Sequence, residues 1–237
     1  MFFNFLLVSA LICFLVAFIF WIFAKKYSMF DSSVLVPAIL FIEAGGAFLF
    51  SPHANMRLTI ICGLVLIWSV RIYLRLYPRL LGNKKAGSYA SGAAMSFVLS
   101  LPLILTSVYG GPELGFVGYM AVALWVIGFT LEMVRDFALD KFQSDPNNKE
   151  RFLTGGLFHY VRHPHYLGEI LMWVALAILA LPTTTLGPLS FLSPIYLLLY
   201  FVLLRIPEAE ARLARLPEFR PYAERTPKLF PRFFSRV

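Results

Sequence analysis

Apolar residues in this chain are gathered into long blocks. Seven stand out, at residues 3–24, 32–50, 57–78, 93–109, 114–135, 166–182 and 189–206. Each is close to the ~20 residues that a helix needs to cross the hydrocarbon core of a bilayer. The pattern predicts an all-α integral membrane protein of about seven transmembrane helices, with residues 1–237 forming a single transmembrane domain. The segments between blocks differ by side. Those at 51–55, 109–112 and 182–188 are short, whereas 136–165 and the tail from Pro207 are long and rich in polar groups. Function is expected on the elaborated side.

Charge orients the blocks. Met1 to Asn4 offers no basic leader and Lys25-Lys26 follows the first block directly, so that block reads as an uncleaved helix rather than a signal peptide. With the N-terminus outside, alternation puts 25–31, 71–92, 135–165 and the cytoplasmic C-terminal segment 205–237 inside. All 21 Lys and Arg residues except Arg57, assigned to an outer loop, fall in those inner segments, as the positive-inside rule requires. A mean hydropathy of +0.74 with 14% charged residues excludes both an ordinary soluble domain and a disordered chain. The net charge of +8 therefore gathers on one face. Topology and attraction to the headgroups of membrane lipids account for most of it, and a phosphate-bearing cofactor could use the remainder. No basic, aromatic module stands apart from the blocks, so nucleic acid is not an expected partner. Cys13 and Cys62 lie in different blocks and offer neither a disulfide framework nor metal-ligand spacing, so no metal is expected.

The polar groups that need a purpose lie mostly on the inner side. Asp136 and Asp140 share one face of an extension of the fifth helix, which Asp145-Pro146-Asn147-Asn148 should break. Thr154-Gly155-Gly156 forms a turn able to bring backbone amides close to a ligand. It is not a GxGxxG element and no strand precedes it, which excludes a Rossmann fold. The segment Arg162-His163-Pro164-His165-Tyr166-Leu167-Gly168-Glu169 then opens the sixth block. A helix starting at Pro164 would put His165 and Glu169 on one side. Its free amides and partial positive end favour phosphate or carboxylate, and Arg162 adds a bidentate donor. With His163 and Tyr166 alongside, these groups suit a pocket for an anionic, nucleotide-type cofactor. The alternative is an Arg162–Glu169 ion pair that ties the loop to the membrane edge. Glu43 and Glu132 lie inside blocks, where an ionisable group is costly unless paired, hydrated or neutral. Glu43 is either a catalytic or substrate-binding acid or a protonated carboxyl bonded to a neighbouring helix. Arg71 and Arg75 can snorkel, Tyr73 and Tyr77 are interface tyrosines or proton donors, and Asp31 can cap the second helix. Pro207 should end or kink the last helix, and the basic, aromatic tail beyond it is either an interfacial anchor or part of a cofactor site.

Residues 140–173, DKFQSDPNNKERFLTGGLFHYVRHPHYLGEILMW, resemble the C-terminal region of the steroid 5α-reductase-like membrane proteins, above all their bacterial branch. Pro217-Glu218-Phe219, Tyr222 and Arg225-Thr226-Pro227 extend the likeness into the tail, and Asp31 and residues 68–75 add to it. The RHPxYxG core also resembles isoprenylcysteine carboxyl methyltransferases and phospholipid or thiol methyltransferases, which use S-adenosylmethionine. Glu169 after the Gly, and the DPxN segment, are typical of the reductase side, whose cofactor is NADPH. The resemblance implies cofactor contacts from Asp136, Asp140, His165 and Tyr166. It also implies that Arg205, Glu208, Arg212 and Tyr222 belong to the tail that closes over the nucleotide. His165 stands where the reductases have Asn, and the second block has no counterpart of the Gln-Glu pair that polarises a steroid ketone.

The expected activity is NADPH-dependent reduction of a C=C bond conjugated to a carbonyl in a steroid- or isoprenoid-like lipid entering from the bilayer. Glu43, Asp31 or Tyr73 would steady the enolate oxygen or supply a proton, while inner loop 136–165 and tail 205–237 hold the cofactor. The expected location is a bacterial inner membrane, crossed several times. The alternatives are an S-adenosylmethionine-dependent methyltransferase of a lipid, prenyl-cysteine or small thiol, and a non-enzymatic lipid-binding protein.

Overall fold

The computed structural model describes residues 2–27, 34–80, 89–148 and 151–231, and Asp31 lies outside them. Among the described residues all regular structure is helical, as an apolar solvent demands of backbone amides that only the chain itself can satisfy. The α-helices are α1 (Phe2–Tyr27), α2 (Leu35–Phe50), α3 (Met56–Leu80), α4 (Tyr89–Leu99), α5 (Leu101–Tyr109), α6 (Phe116–Ser144), α7 (Leu157–Tyr160), α8 (Pro164–Ala180), α9 (Leu192–Tyr200), α10 (Ile206–Leu213) and α11 (Phe219–Arg225). The protein is an integral membrane protein. Five helical stretches are long and apolar enough to cross a bilayer: Phe3–Ile22, Met56–Leu76, Phe116–Ser144, Pro164–Thr183 and Gly187–Leu213.

The other two apolar blocks form shorter or broken helices. The second gives α2, of only 16 residues. The fourth, expected as one span, is bent by 42° between α4 and α5 and makes a sixth crossing if the pair counts as one. Pro102, in the first turn of α5, supplies the break, since its ring and missing N–H interrupt a continuing helix. Pro207 behaves differently. It does not end the last span: helix continues through a π-helical turn, Phe201–Arg205, into α10. The wider turn immediately before the proline accommodates what a straight α-helix would not.

The described chain falls into two compact units. The first comprises Met1–Ala121 with Leu176–Ser193. Its core joins Cys13 and Ala17 of α1, Leu35 and Ile39 of α2, and Tyr89 and Ala93 of α4. The outward face of α1 (Leu7, Leu11, Phe14, Phe18) stays exposed and wholly apolar, as lipid contact requires. Arg57 corrects an expectation. It sits in the first turn of α3 and is only 4% exposed, not displayed on a loop. Its guanidinium donates to the carbonyls of Pro112 (3.1 Å), Glu113 (3.0 Å) and Leu179 (2.6 Å). One cation thus satisfies three acceptors, one of them in the last turn of α8, where carbonyls have no helical partner.

The second unit comprises Val122–Ala175 with Pro194–Val237. Asp145 ends α6 as its sequence suggests, its carboxylate accepting from the Asn147 amide at 2.9 Å. In this unit α6 and α8 cross at a glycine pair: a Cβ on Gly168 would lie 2.5 Å from the Gly128 carbonyl oxygen, and one on Gly128 equally close to that of Gly168. Gly168, the glycine of the RHPxYxG core, is there for helix contact.

Replacing Arg57 by Ala should destabilise the protein by about 3 kcal/mol or more, since buried acceptors lose charge-assisted bonds. Thermal unfolding in detergent measures this; Arg57→Lys, with one point of attachment, should recover only part.

Candidate functional site

The second unit gathers most of the inner-side candidates around one short stretch of backbone. After the turn at Gly156 (φ 62°) and helix α7, Val161 is extended. The amides of Arg162 and His163 donate to the carbonyls of Pro227 (2.9 Å) and Lys228 (3.1 Å), so the motif carries the chain's tail as a two-rung ladder. Pro164 then starts α8, the position where its lack of an N–H costs nothing.

Side chains reinforce that ladder. Glu210, on α10, accepts from Arg162 Nη1 at 3.0 Å and from His163 Nε2 at 3.2 Å. The alternative Arg162–Glu169 pairing is thereby corrected: the carboxylate that meets Arg162 comes from the tail. Tyr222 of α11 donates its hydroxyl to the Phe158 carbonyl at 2.6 Å, and Phe152 packs against Phe219 and Tyr222. Burial pushes the Tyr222 phenol up to about 12, which keeps it a donor. Burial also holds the His163 imidazole below its ordinary range, although Glu210 pulls the other way.

A second set of groups lies along α8 and the π-turn. Tyr166 stacks on Phe201 with ring centroids 4.2 Å apart and meets the His165 ring at 3.9 Å. Arg205 bonds the Tyr166 hydroxyl and pairs with Glu208 at 2.9 Å. Glu208 also lies 3.7 Å from Arg212, and both are largely exposed. Arg135 pairs with Asp136 at 2.8 Å, while its buried Nε has no hydrogen-bond partner among the described residues. Asp140 is exposed one turn further along α6, and Glu169 is partly buried on α8. Sequence reasoning missed Glu210 and Arg135. The signal for Glu210 was its spacing from Ile206, which is 1% exposed: the two are four residues apart on the inward face of α10, opposite Glu208 and Arg212.

The first unit holds the remaining candidates. Glu43 is 8% exposed. Its Oε1 accepts from Ser9 Oγ at 2.5 Å and from Cys13 Sγ at 3.6 Å, and Ser100 Oγ lies 3.3 Å from that of Ser9. Its Oε2 is buried without a hydrogen-bond partner among the described residues. Glu43 lines a largely apolar cavity of about 220 Å³ with Val8, Ile12, Phe50, Leu103 and Ile104, where Ser9 and Ser107 are the other polar side chains. Tyr73 is 43% exposed on α3. Among the described residues no cluster of three or more His, Cys, Asp or Glu could hold a metal ion.

Residues 84–226 match the model of a family described as a protein of unknown function, DUF1295. The chain belongs to this family. DUF1295 is part of the steroid 5α-reductase-like superfamily. The DUF1295 match takes in the whole motif and the tail through Thr226, and it stops short of α1 to α3, where Glu43 resides. No curated protein matches the chain.

Removing the Glu210 carboxylate strands a buried guanidinium, so Glu210→Ala should cost about 3 kcal/mol and expose the tail to protease. Tyr222→Phe should cost about 1 kcal/mol or more by leaving the Phe158 carbonyl without its donor. His163 gives a pH dependence of definite sign. Its folded form resists protonation, so the unfolded chain takes up the proton first as pH falls through the ordinary value of 6.5. Stability should be full above that value and decline below it. Thermal midpoints between pH 7.5 and 5.5 test this, and His163→Gln should flatten the decline.

Proposed function

We propose that this protein is a membrane-embedded reductase that uses NADPH to saturate a C=C bond conjugated to a carbonyl in a steroid- or isoprenoid-like lipid. The observation that carries the reading is the Glu43 carboxyl: buried at the wall of a largely apolar cavity, with Ser9 and Cys13 both donating to one oxygen. Oε1 is thereby the accepting oxygen, which leaves Oε2 to carry the proton and offer it to a substrate carbonyl. A hydrogen bond there draws electron density from the conjugated double bond and steadies the enolate oxygen as it forms. The apolar lining suits a substrate drawn from the bilayer.

The donor set of the second unit fits a phosphate-bearing nucleotide. Arg135, with an unsatisfied buried Nε, and Arg205 supply guanidiniums for phosphate. Tyr166 and His165 supply aromatic surface, and Asp136 and Asp140 supply acceptors for ribose hydroxyls. When bound, NADPH would supply a hydride, and the proton that completes the saturated C–C bond would come from solvent water. Arg162, His163 and Tyr222 act through the tail they fasten. The positive-inside asymmetry supports seven crossings with the N-terminus outside and the C-terminus in the cytoplasm, and the resemblance to the bacterial branch supports an inner-membrane location.

Thermal stabilisation of the detergent-purified protein tests the cofactor, because a ligand bound only by the folded state adds about 2.7 kcal/mol at a hundredfold excess over its Kd. NADPH should raise the midpoint, NADH less, and S-adenosylmethionine not at all; a shift with S-adenosylmethionine alone would turn the reading to methyl transfer. Glu43→Gln should keep the NADPH shift yet lower turnover of enone lipids by about 10²-fold or more.

A further inference from the structure

Beyond these two centres the second unit carries a recess of about 430 Å³ between the last span and the tail. Arg162, Val202, Thr226, Lys228, Leu229 and Phe230 line it. The Arg162 side chain is only 8% exposed, and its Nε is buried without a hydrogen-bond partner among the described residues. Such a group calls for an acceptor, because an unsatisfied buried N–H is costly, more so on a cation. The far edge of the same guanidinium is held by Glu210 at 3.0 Å, so an acceptor placed in the recess meets a cation already anchored to the tail.

Charge and rim narrow the ligand. Arg162 and Lys228 against Glu210 leave one net positive charge, since burial keeps His163 neutral at pH 7. A singly charged phosphodiester balances that, whereas a phosphate monoester or free phosphate carries more charge and faces Glu210 in excess. The rim is apolar: Val202 belongs to the membrane-spanning stretch Gly187–Leu213, and it and Phe230 are 44% and 58% exposed. A lipid can therefore set its phosphate beside Arg162 and Lys228 while its acyl chain follows Val202. We propose that this recess is a site for the phosphodiester headgroup of an anionic glycerophospholipid, which braces the tail against the motif. The inference does not depend on the reductase reading.

Native mass spectrometry and thermal unfolding of the delipidated full chain, given phosphatidylglycerol, phosphatidylcholine, inorganic phosphate or NADPH in turn, test it. One phosphatidylglycerol per chain should survive activation that strips phosphatidylcholine, and should raise the unfolding midpoint. Lys228→Glu should weaken that binding at least tenfold. Because only the backbone carbonyl of Lys228 joins the ladder, the variant should keep its tail protease-resistant. Equal retention of the two lipids, or a Lys228→Glu protein that binds phosphatidylglycerol as before, would overturn the proposal. So would displacement of the lipid by inorganic phosphate or NADPH, which would assign the recess to a soluble phosphate.

Discussion

In a chain that lives in hydrocarbon, every buried polar group must find its partner within the chain. That constraint governs this structure more than any single packing contact. It makes the backbone helical, and it decides where the few buried charges can stand. Arg57 is tolerated because three carbonyls converge on it. Arg162 and His163 are tolerated because the tail brings Glu210 to both. Among the buried atoms with no hydrogen-bond partner among the described residues are three on carboxyl and guanidinium groups, Glu43 Oε2, Arg135 Nε and Arg162 Nε, and there an external group is the natural completion. The functional proposals rest on those three atoms.

The RHPxYxG core takes on a different meaning in this light. Arg162 and His163 fasten the tail through Glu210 and through their amides, Pro164 starts α8, and Gly168 permits the crossing with α6. Four of its positions thus build a frame, and Tyr166 is the one that faces the Arg205 group. A frame of that kind can serve cofactors of different charge. On the proposed reading, what selects the cofactor would come from surrounding residues such as Arg135, Asp136 and Arg205, rather than from the core itself.

The fold was legible where local chemistry decides. Each apolar block became helix, Asp145-Pro146 ended α6, and Pro164 opened α8, since each follows from periodicity, a breaker or a missing N–H. The bend before Pro102 and the π-turn before Pro207 were not, because whether a proline bends or is absorbed depends on neighbouring turns. The site was legible as a neighbourhood but not as a set of pairs. Arg162 and Glu169 are close in sequence and suggested one another, yet the partner, Glu210, lies in another helix. Arg57 looked like a loop residue because hydropathy cannot see carbonyls contributed from residues 112, 113 and 179.

Hydrogen–deuterium exchange of the purified protein, with and without NADPH, tests most directly whether the motif and tail form a nucleotide site, because amide protection reports which segments a ligand stabilises. Protection by NADPH over residues 157–169 and 205–229, with α2 unchanged, is the expected result. Protection of those segments by S-adenosylmethionine but not by NADPH, or by neither, would contradict it.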